Sequence, residues 1–327
     1  MNNAEPQLDL TIRCGLDFLY EAAAPTPIVL HIKPRLDRSQ HIEKEQFSFE
    51  PHSPLEEHED EHGNLVHRLV LAPGQTRVRH DAFVAVPSVP ENFGAIDEPM
   101  PVAEVPLPYL RYVLPSRYCD SDKLLDFAFQ KFGSVPHGLQ RVQAICDWVH
   151  HNIEYRFGSG SPLTSASDII SQGYGVCRDF AHTAVALCRT FNIPSRYVTG
   201  YVPDVAFENP GTPMDFHASF EVFVGGRWQT FDARFNVPRI GRIKIALRTR
   251  RRGWRVFHAL WRGEAREIRR LGLSGRSGGS GSRRSDRHVE TPLRHGRTAF
   301  STSRASRLTP TFSPQKKAAG LSRSRLL

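Results

Sequence analysis

Three features of this 327-residue chain predict an α+β fold. Its first third alternates apolar and polar residues at a spacing of two, which is strand periodicity. Its middle carries apolar residues at spacings of three and four, which is helix periodicity. A strand-like run, a Gly-Gly pair and a second strand-like run then read as a hairpin. The predicted architecture is a β-sandwich-like N-terminal domain (1–115), a domain of helices packed on an antiparallel sheet (116–246), and a basic low-complexity tail (247–327).

The N-terminal elements come first. LDLTIRCGLDFLY (8–20), PIVLHIKPR (27–35), EKEQFSFEP (43–51) and GNLVHRLVLAPGQTRVRHDAFVAVP (63–87) are alternating segments split by Pro and Gly, as two packed sheets require. Between them, HSPLEEHEDEH (52–62) sets His52, His58 and His62 among acids. The paired spacing of a structural zinc site is missing, so it reads as an exposed charged loop leading into the Gly63-Asn64 turn. Two helices follow, in SDKLLDFAFQKFG (121–133) and PHGLQRVQAICDWVHHNIEY (136–155), the second with Pro136 at its start.

The most chemical stretch is GYGVCRDFAHTAVALCRTFNI (173–193). Gly173 and Gly175 make a turn-prone approach. From Cys177 on, Phe180, Ala181, Ala184, Leu187, Cys188 and Phe191 line one helix face, and Asn192 and Pro194 close it. Cys177 falls in the first turn, where backbone N–H groups lack intrahelical partners and the helix dipole favours a thiolate. Those N–H groups also suit the oxyanion formed when a carbonyl is attacked. His182 is a poor base for Cys177, because five residues along a helix rotate it by about 500°. Cys146 and Cys188 read as small buried apolar residues.

His217 opens FHASFEVFV (216–224), Gly225-Gly226 supplies the turn, and Asp232 closes the return strand RWQTFDA. Antiparallel pairing brings the open ends of such a hairpin together, at a cross-strand separation of about 5 Å. A cysteine at a helix start, then a histidine and an aspartate on facing strand ends, is the arrangement thiol acyl chemistry requires. The imidazole takes the thiol proton, and the carboxylate fixes the ring and steadies its charge. Taken singly, each residue has a plainer reading: a buried small hydrophobe, a surface histidine, a turn aspartate.

GYGVCRDFAHTAVALCRTFNIPSRYVTGY, FHASFEVFV and WQTFDAR resemble the core of the transglutaminase-like superfamily of cysteine acyl-transfer enzymes. LRYVLPSRYCDSDKLLDFAFQKFG (110–133) resembles a bacterial branch with an extra N-terminal β-rich region. The resemblance spans roughly residues 8 to 245 and implies a papain-like core with Cys177 as nucleophile, His217 as base and Asp232 as orienting acid. It implies acyl transfer or hydrolysis at amide bonds of a protein or peptide through a thioester, as a transglutaminase, peptidase or amidase. The chemistry needs no metal and no other cofactor, and no calcium-loop pattern is present. Some members of such a family have lost the chemistry, so a non-catalytic protein-binding module is the second expectation.

Composition bounds the setting. No N-terminal run reads as a signal peptide and no stretch has the roughly 18 apolar residues of a membrane span. Five cysteines without CxxC spacing point to reduced thiols and a cytoplasmic location, with no membrane partner. Residues 247–327 hold 19 Arg and 2 Lys against 3 Glu and 1 Asp, net +17, whereas residues 1–246 hold 22 basic and 30 acidic residues, net −8. The whole-chain charge of +9 therefore belongs to the tail, and the acidic body argues against nucleic acid as substrate. The Arg/Ser/Gly-rich tail has too few apolar residues to bury a core and is expected to be disordered. Three readings fit it: a nucleic-acid-binding extension, a solvated linker, or the product of a frameshift near residue 247, since the composition breaks abruptly inside a strand-like segment.

Overall fold

The structure, a computed structural model, describes residues 7–92, 97–205 and 216–248, and the backbone alone of 257–259 and 266–276. Residues up to Gly279 belong to one compact unit, and the second unit, Ser280–Leu327, lies outside the described residues.

Six N-terminal strands build two antiparallel sheets: β1 (Leu10–Ala22), β2 (Thr26–Leu30), β3 (His41–Glu50), β4 (Glu56–Glu59), β5 (Leu65–Leu71) and β6 (Gly74–Val86). β1, β6 and β3 are consecutive in one sheet, and β2, β5 and β4 in the other. Leu16, Phe18 and Tyr20 of β1 meet Ile28 and Leu30 of β2 and Leu69 and Leu71 of β5 in the sandwich core. The segment expected as an exposed charged loop is in part β4, whose four residues are all exposed and pair with β5. Its acids fit because an edge strand tolerates charge on its free side.

Short helices α1 (Leu125–Phe132) and α2 (Leu139–Asn152) come next. Pro136 sits before α2, whose N-cap is Gly138. After α2, β7 (Glu154–Tyr155), α3 (Ala166–Gln172) and β8 (Tyr174–Gly175) lead into α4 (Cys177–Thr190). The sheet of the second half contains β9 (Ser195–Tyr201), β10 (His217–Val224), β11 (Arg227–Phe231) and β12 (Ile243–Arg248), in the order β11-β10-β9-β12. Gly225 and Gly226 both take positive φ, 63° and 72°, as the tight turn between β10 and β11 demands.

That sheet is covered on both faces. Phe220, Val222 and Val224 pack with Ala184, Leu187 and Cys188 of α4. On the other face Tyr201, Ile243 and Ile245 meet Leu10, Ile12, Val84 and Val86. The long strands β1 and β6 therefore serve two cores with one face, the sandwich at one end and the β9–β12 sheet at the other. This explains a departure from the alternation in the sequence: all eight residues of β10 are buried, Ser219 and Glu221 included. Glu221 is neutralised there by Arg196 and Lys244, each at 2.7 Å.

The outer edge of β12 is closed by two side-chain amides of the N-terminal half. Gln40 accepts the Lys244 N–H at 2.7 Å and donates to the Lys244 carbonyl at 2.8 Å. Asn64 does the same for Leu247, at 2.7 and 2.8 Å. Most of the tail expected to be disordered lies outside the described residues. Within it, β13 (Phe257–Ala259) pairs with β2 and β14 (Arg266–Arg276) with β1. Both follow physically from unpaired ladder groups on the outer edges of β1 and β2. Among the described residues no helix is long and apolar enough to cross a membrane.

Candidate active site

Cys177 is the first residue of α4 and is half-buried, while the other four cysteines are buried. Its position is fixed by the acid two residues on: Asp179 accepts the Val176 N–H at 3.0 Å, the returning half of a capping box. Asp179 is itself held by Arg178, whose Nη2 also donates to the Ser161 carbonyl at 2.8 Å. As the first helical residue, Cys177 has a backbone N–H with no intrahelical acceptor.

His217 opens β10 opposite Gly200 of β9. Gly200 cannot be replaced there, because a Cβ would lie 1.9 Å from the Ile243 carbonyl oxygen. The His217 Nε2 meets Asp232 Oδ2 at 2.6 Å, and Cys177 lies near enough to the same ring to favour its charged form. The three residues predicted from sequence thus form one continuous line. The β10–β11 ladder ends at Phe220–Phe231, so Asp232 reaches His217 diagonally past Ser219. His182, set aside as a base, is buried elsewhere, stacked on Tyr118 at 5.4 Å.

Asp232 is buried and every oxygen is used. Oδ1 accepts the N–H groups of Arg234 and Phe235, both at 3.1 Å. Oδ2 accepts from His217 and also from Arg242 Nη2 at 3.0 Å. Burial pushes this carboxyl up, yet the His217 charge and hydrogen bond, with Arg242, hold it well below the usual carboxylate range. Burial pulls the His217 imidazole down, but the Asp232 charge and hydrogen bond and the contact with Cys177 outweigh it and leave it raised. Burial drives three other thiols the opposite way: Cys14 and Cys188 are pushed up to about 12, and Cys146 rises well above its ordinary value.

Phe235 supports the ring of His217 at 4.8 Å. The Arg234 guanidinium lies 3.5 Å from the ring centre of Tyr155, which pairs with Gly175 just before the nucleophile. A cavity of about 350 Å³ reaches Asp232 from the side, lined by Glu91, Asn92, Gln143, Thr230 and Asn236 among others. Arg242 and Glu91 escaped the sequence analysis. An arginine entering an apolar strand, as in GRIKIA (241–246), is the signal that could have found the first. Glu91 carries no local signal.

Comparison with known proteins finds relatives of this fold. A family model described as Transglutaminase-like superfamily matches residues 126–233. The crystal structure of a candidate cysteine protease from Cytophaga hutchinsonii superposes with a TM-score of 0.73 at 32% identity, covering 81% of this chain and 90% of that one. An uncharacterised protein of Mycobacterium leprae is 33% identical over 89 residues, which are 27% of this chain and 32% of that protein. The chain thus spans about a third of the length of that curated relative. The periplasmic domain of TgpA from Pseudomonas aeruginosa shares 15% identity, with a TM-score of 0.35 over 71% of this chain and 91% of that one. It is too distant to inform the chemistry.

Proposed function

The chain belongs to the transglutaminase-like superfamily, and from that premise we propose that it is a cysteine enzyme acting on amide bonds of a protein or peptide through a thioester on Cys177. In this reading the Cys177 sulfur attacks the amide carbon as His217 takes the thiol proton. The carbonyl oxygen becomes an oxyanion facing the N–H groups at the start of α4. The carbon–nitrogen bond then breaks, and the His217 imidazolium protonates the departing amine. Water or a second amine attacks the thioester, His217 accepts its proton, and the thiol is regenerated. Asp232 holds the ring in place and balances its charge throughout.

One observation carries the reading: a half-buried thiol at a helix start, beside a histidine that is hydrogen-bonded in turn to a buried aspartate. The likeness to a candidate cysteine protease favours hydrolysis as the outcome. Five free thiols support a cytoplasmic setting.

The test is a proteome incubated with the protein and a labelled primary amine, analysed by mass spectrometry. Hydrolysis gives new chain termini or deamidated side chains, and transfer gives amine-labelled proteins. Either must vanish with Cys177→Ala. If neither forms, and Cys177 is alkylated no faster than Cys14, a non-catalytic binding module is the correct reading.

A further inference from the structure

Glu91 and Asn92 lie beyond the end of β6 at Val86, with no strand between them and the N-terminal sandwich, and are fastened onto the end of the hairpin that bears Asp232. Asn92 Oδ1 accepts the Thr230 N–H at 2.8 Å, and its amide also donates to the Thr230 carbonyl. The Glu91 N–H donates to the Arg239 carbonyl at 2.9 Å, and Glu91 Oε2 accepts the Arg239 N–H at 3.2 Å. Glu91 also binds Arg242 through both oxygens, by Nε and by Nη2, the latter at 3.2 Å. Arg242 is 4% exposed at its side chain and spans from Glu91 to Asp232.

We propose that Arg242 and Glu91 are a positioning pair for Asp232, through which the segment following the N-terminal sandwich completes the Cys177 site. The inference rests on the proposed role of Cys177, His217 and Asp232. Its physical content is charge balance. Arg242 alone on Asp232 would cancel the carboxylate that steadies the His217 imidazolium. Glu91 on the far side of the guanidinium restores the net negative charge, while Arg242 keeps Oδ2 ionised and aimed. The balance holds with every other charged or titratable group facing these residues unchanged. Cys177 faces His217, Cys146 and Arg239 face Asp232, and Arg239 in turn meets Asp204 at 3.5 Å.

Two charge-removing variants, of which Glu91→Gln is isosteric, separate this from a purely structural tie. Full-length protein with 13C-labelled histidine is titrated by NMR to read the His217 midpoint, and Cys177 alkylation by iodoacetamide is followed across pH. Glu91→Gln removes a negative charge and should move the His217 midpoint down by about half a unit to one unit. Arg242→Gln removes a positive charge and should move it up by a similar amount. The double variant, which removes both charges, should return it to within about 0.3 of the starting value. The alkaline limb of alkylation should follow in each case.

Unmoved midpoints, or shifts of the same sign in both single variants, overturn the pair. If Arg242→Gln does not fold, Glu91→Gln and the double variant still decide, because the downward shift and its reversal are both required. If Cys177 of the unmodified protein is no more reactive than the buried thiols, the failure belongs to the proposed function instead.

Discussion

Two histidine–carboxylate arrangements in this molecule are built alike, yet His67 of one and His217 of the other are shifted in opposite directions. In the N-terminal sandwich, His67 meets Glu57 at 2.8 Å and His80 meets Glu45 at 2.9 Å, with Lys33 bridging the two acids at 3.0 and 3.1 Å. In the second half, His217 meets Asp232 at 2.6 Å with Arg242 behind. Burial pulls His67 below the ordinary imidazole value, and Glu57, opposed by Lys33, does not make up the loss. His217 is equally buried yet raised. The partner acids account for the difference: the Glu57 side chain is 42% exposed and the Asp232 side chain 1%. Water screens the first charge and leaves the second at full strength. A histidine beside a carboxylate is therefore not in itself a site. What distinguishes the proposed catalytic pair is a dry acid beside the ring and a thiol near it.

The sharpest way to break this comparison is to remove each histidine. His217→Ala, like Cys177→Ala, should lower turnover of an amide substrate by about a thousandfold or more. His67→Ala should leave turnover within about twofold while lowering the unfolding midpoint in urea. Equal losses of activity would erase the distinction. Next in size, Asp232→Asn should reduce turnover by about a hundredfold or more with the fold retained, whereas Glu57→Gln should leave it unchanged.

Thiol chemistry sharpens the same contrast. Iodoacetamide at neutral pH should modify Cys177 at least about tenfold faster than Cys14, Cys146 or Cys188, which burial holds protonated. Peptide mapping of labelled protein reads the order directly, and comparable labelling of Cys188 would refute it.

The smallest effect is in stability. A histidine with a depressed folded value binds its proton more readily when unfolded, so His67 weakens the fold as pH falls below about 6.5. His217 is raised, so it adds stability below about 6.5 and loses it as pH climbs through the folded value. Urea midpoints measured from pH 5 to 8 should show His67→Gln relieving an acid-side loss of stability. His217→Gln should remove an acid-side gain. Parallel pH curves for the two variants would contradict these assignments.

Much of the site was legible because its chemistry is local. The first turn of α4 announces itself by the apolar face that begins at Phe180, and the Gly225-Gly226 turn dictates which strand ends meet. The line through Cys177, His217 and Asp232 follows from those two elements. Arg242 and Glu91 were not legible, since a charge balance between residues 151 positions apart has no sequence periodicity. Burial of both faces of β10 was also hidden: Glu221 reads as an outward residue until Lys244 and Arg196 are placed beside it. The strands β13 and β14 were obscured by arginine-rich composition, which says nothing of an open edge on β1.

The amides of Gln40 and Asn64 along β12 have a consequence for the order of assembly. An uncovered terminal strand is a template on which a second polypeptide can pair, and here the cover comes from earlier in the same chain. During synthesis the sandwich emerges first and can be folded when β12 leaves the ribosome. The newly made strand then finds its two hydrogen-bonding amides already waiting. Exchanging Gln40 and Asn64 for residues that cannot grip the backbone should leave the purified native protein intact, yet lower its yield through chains caught by one another on the way.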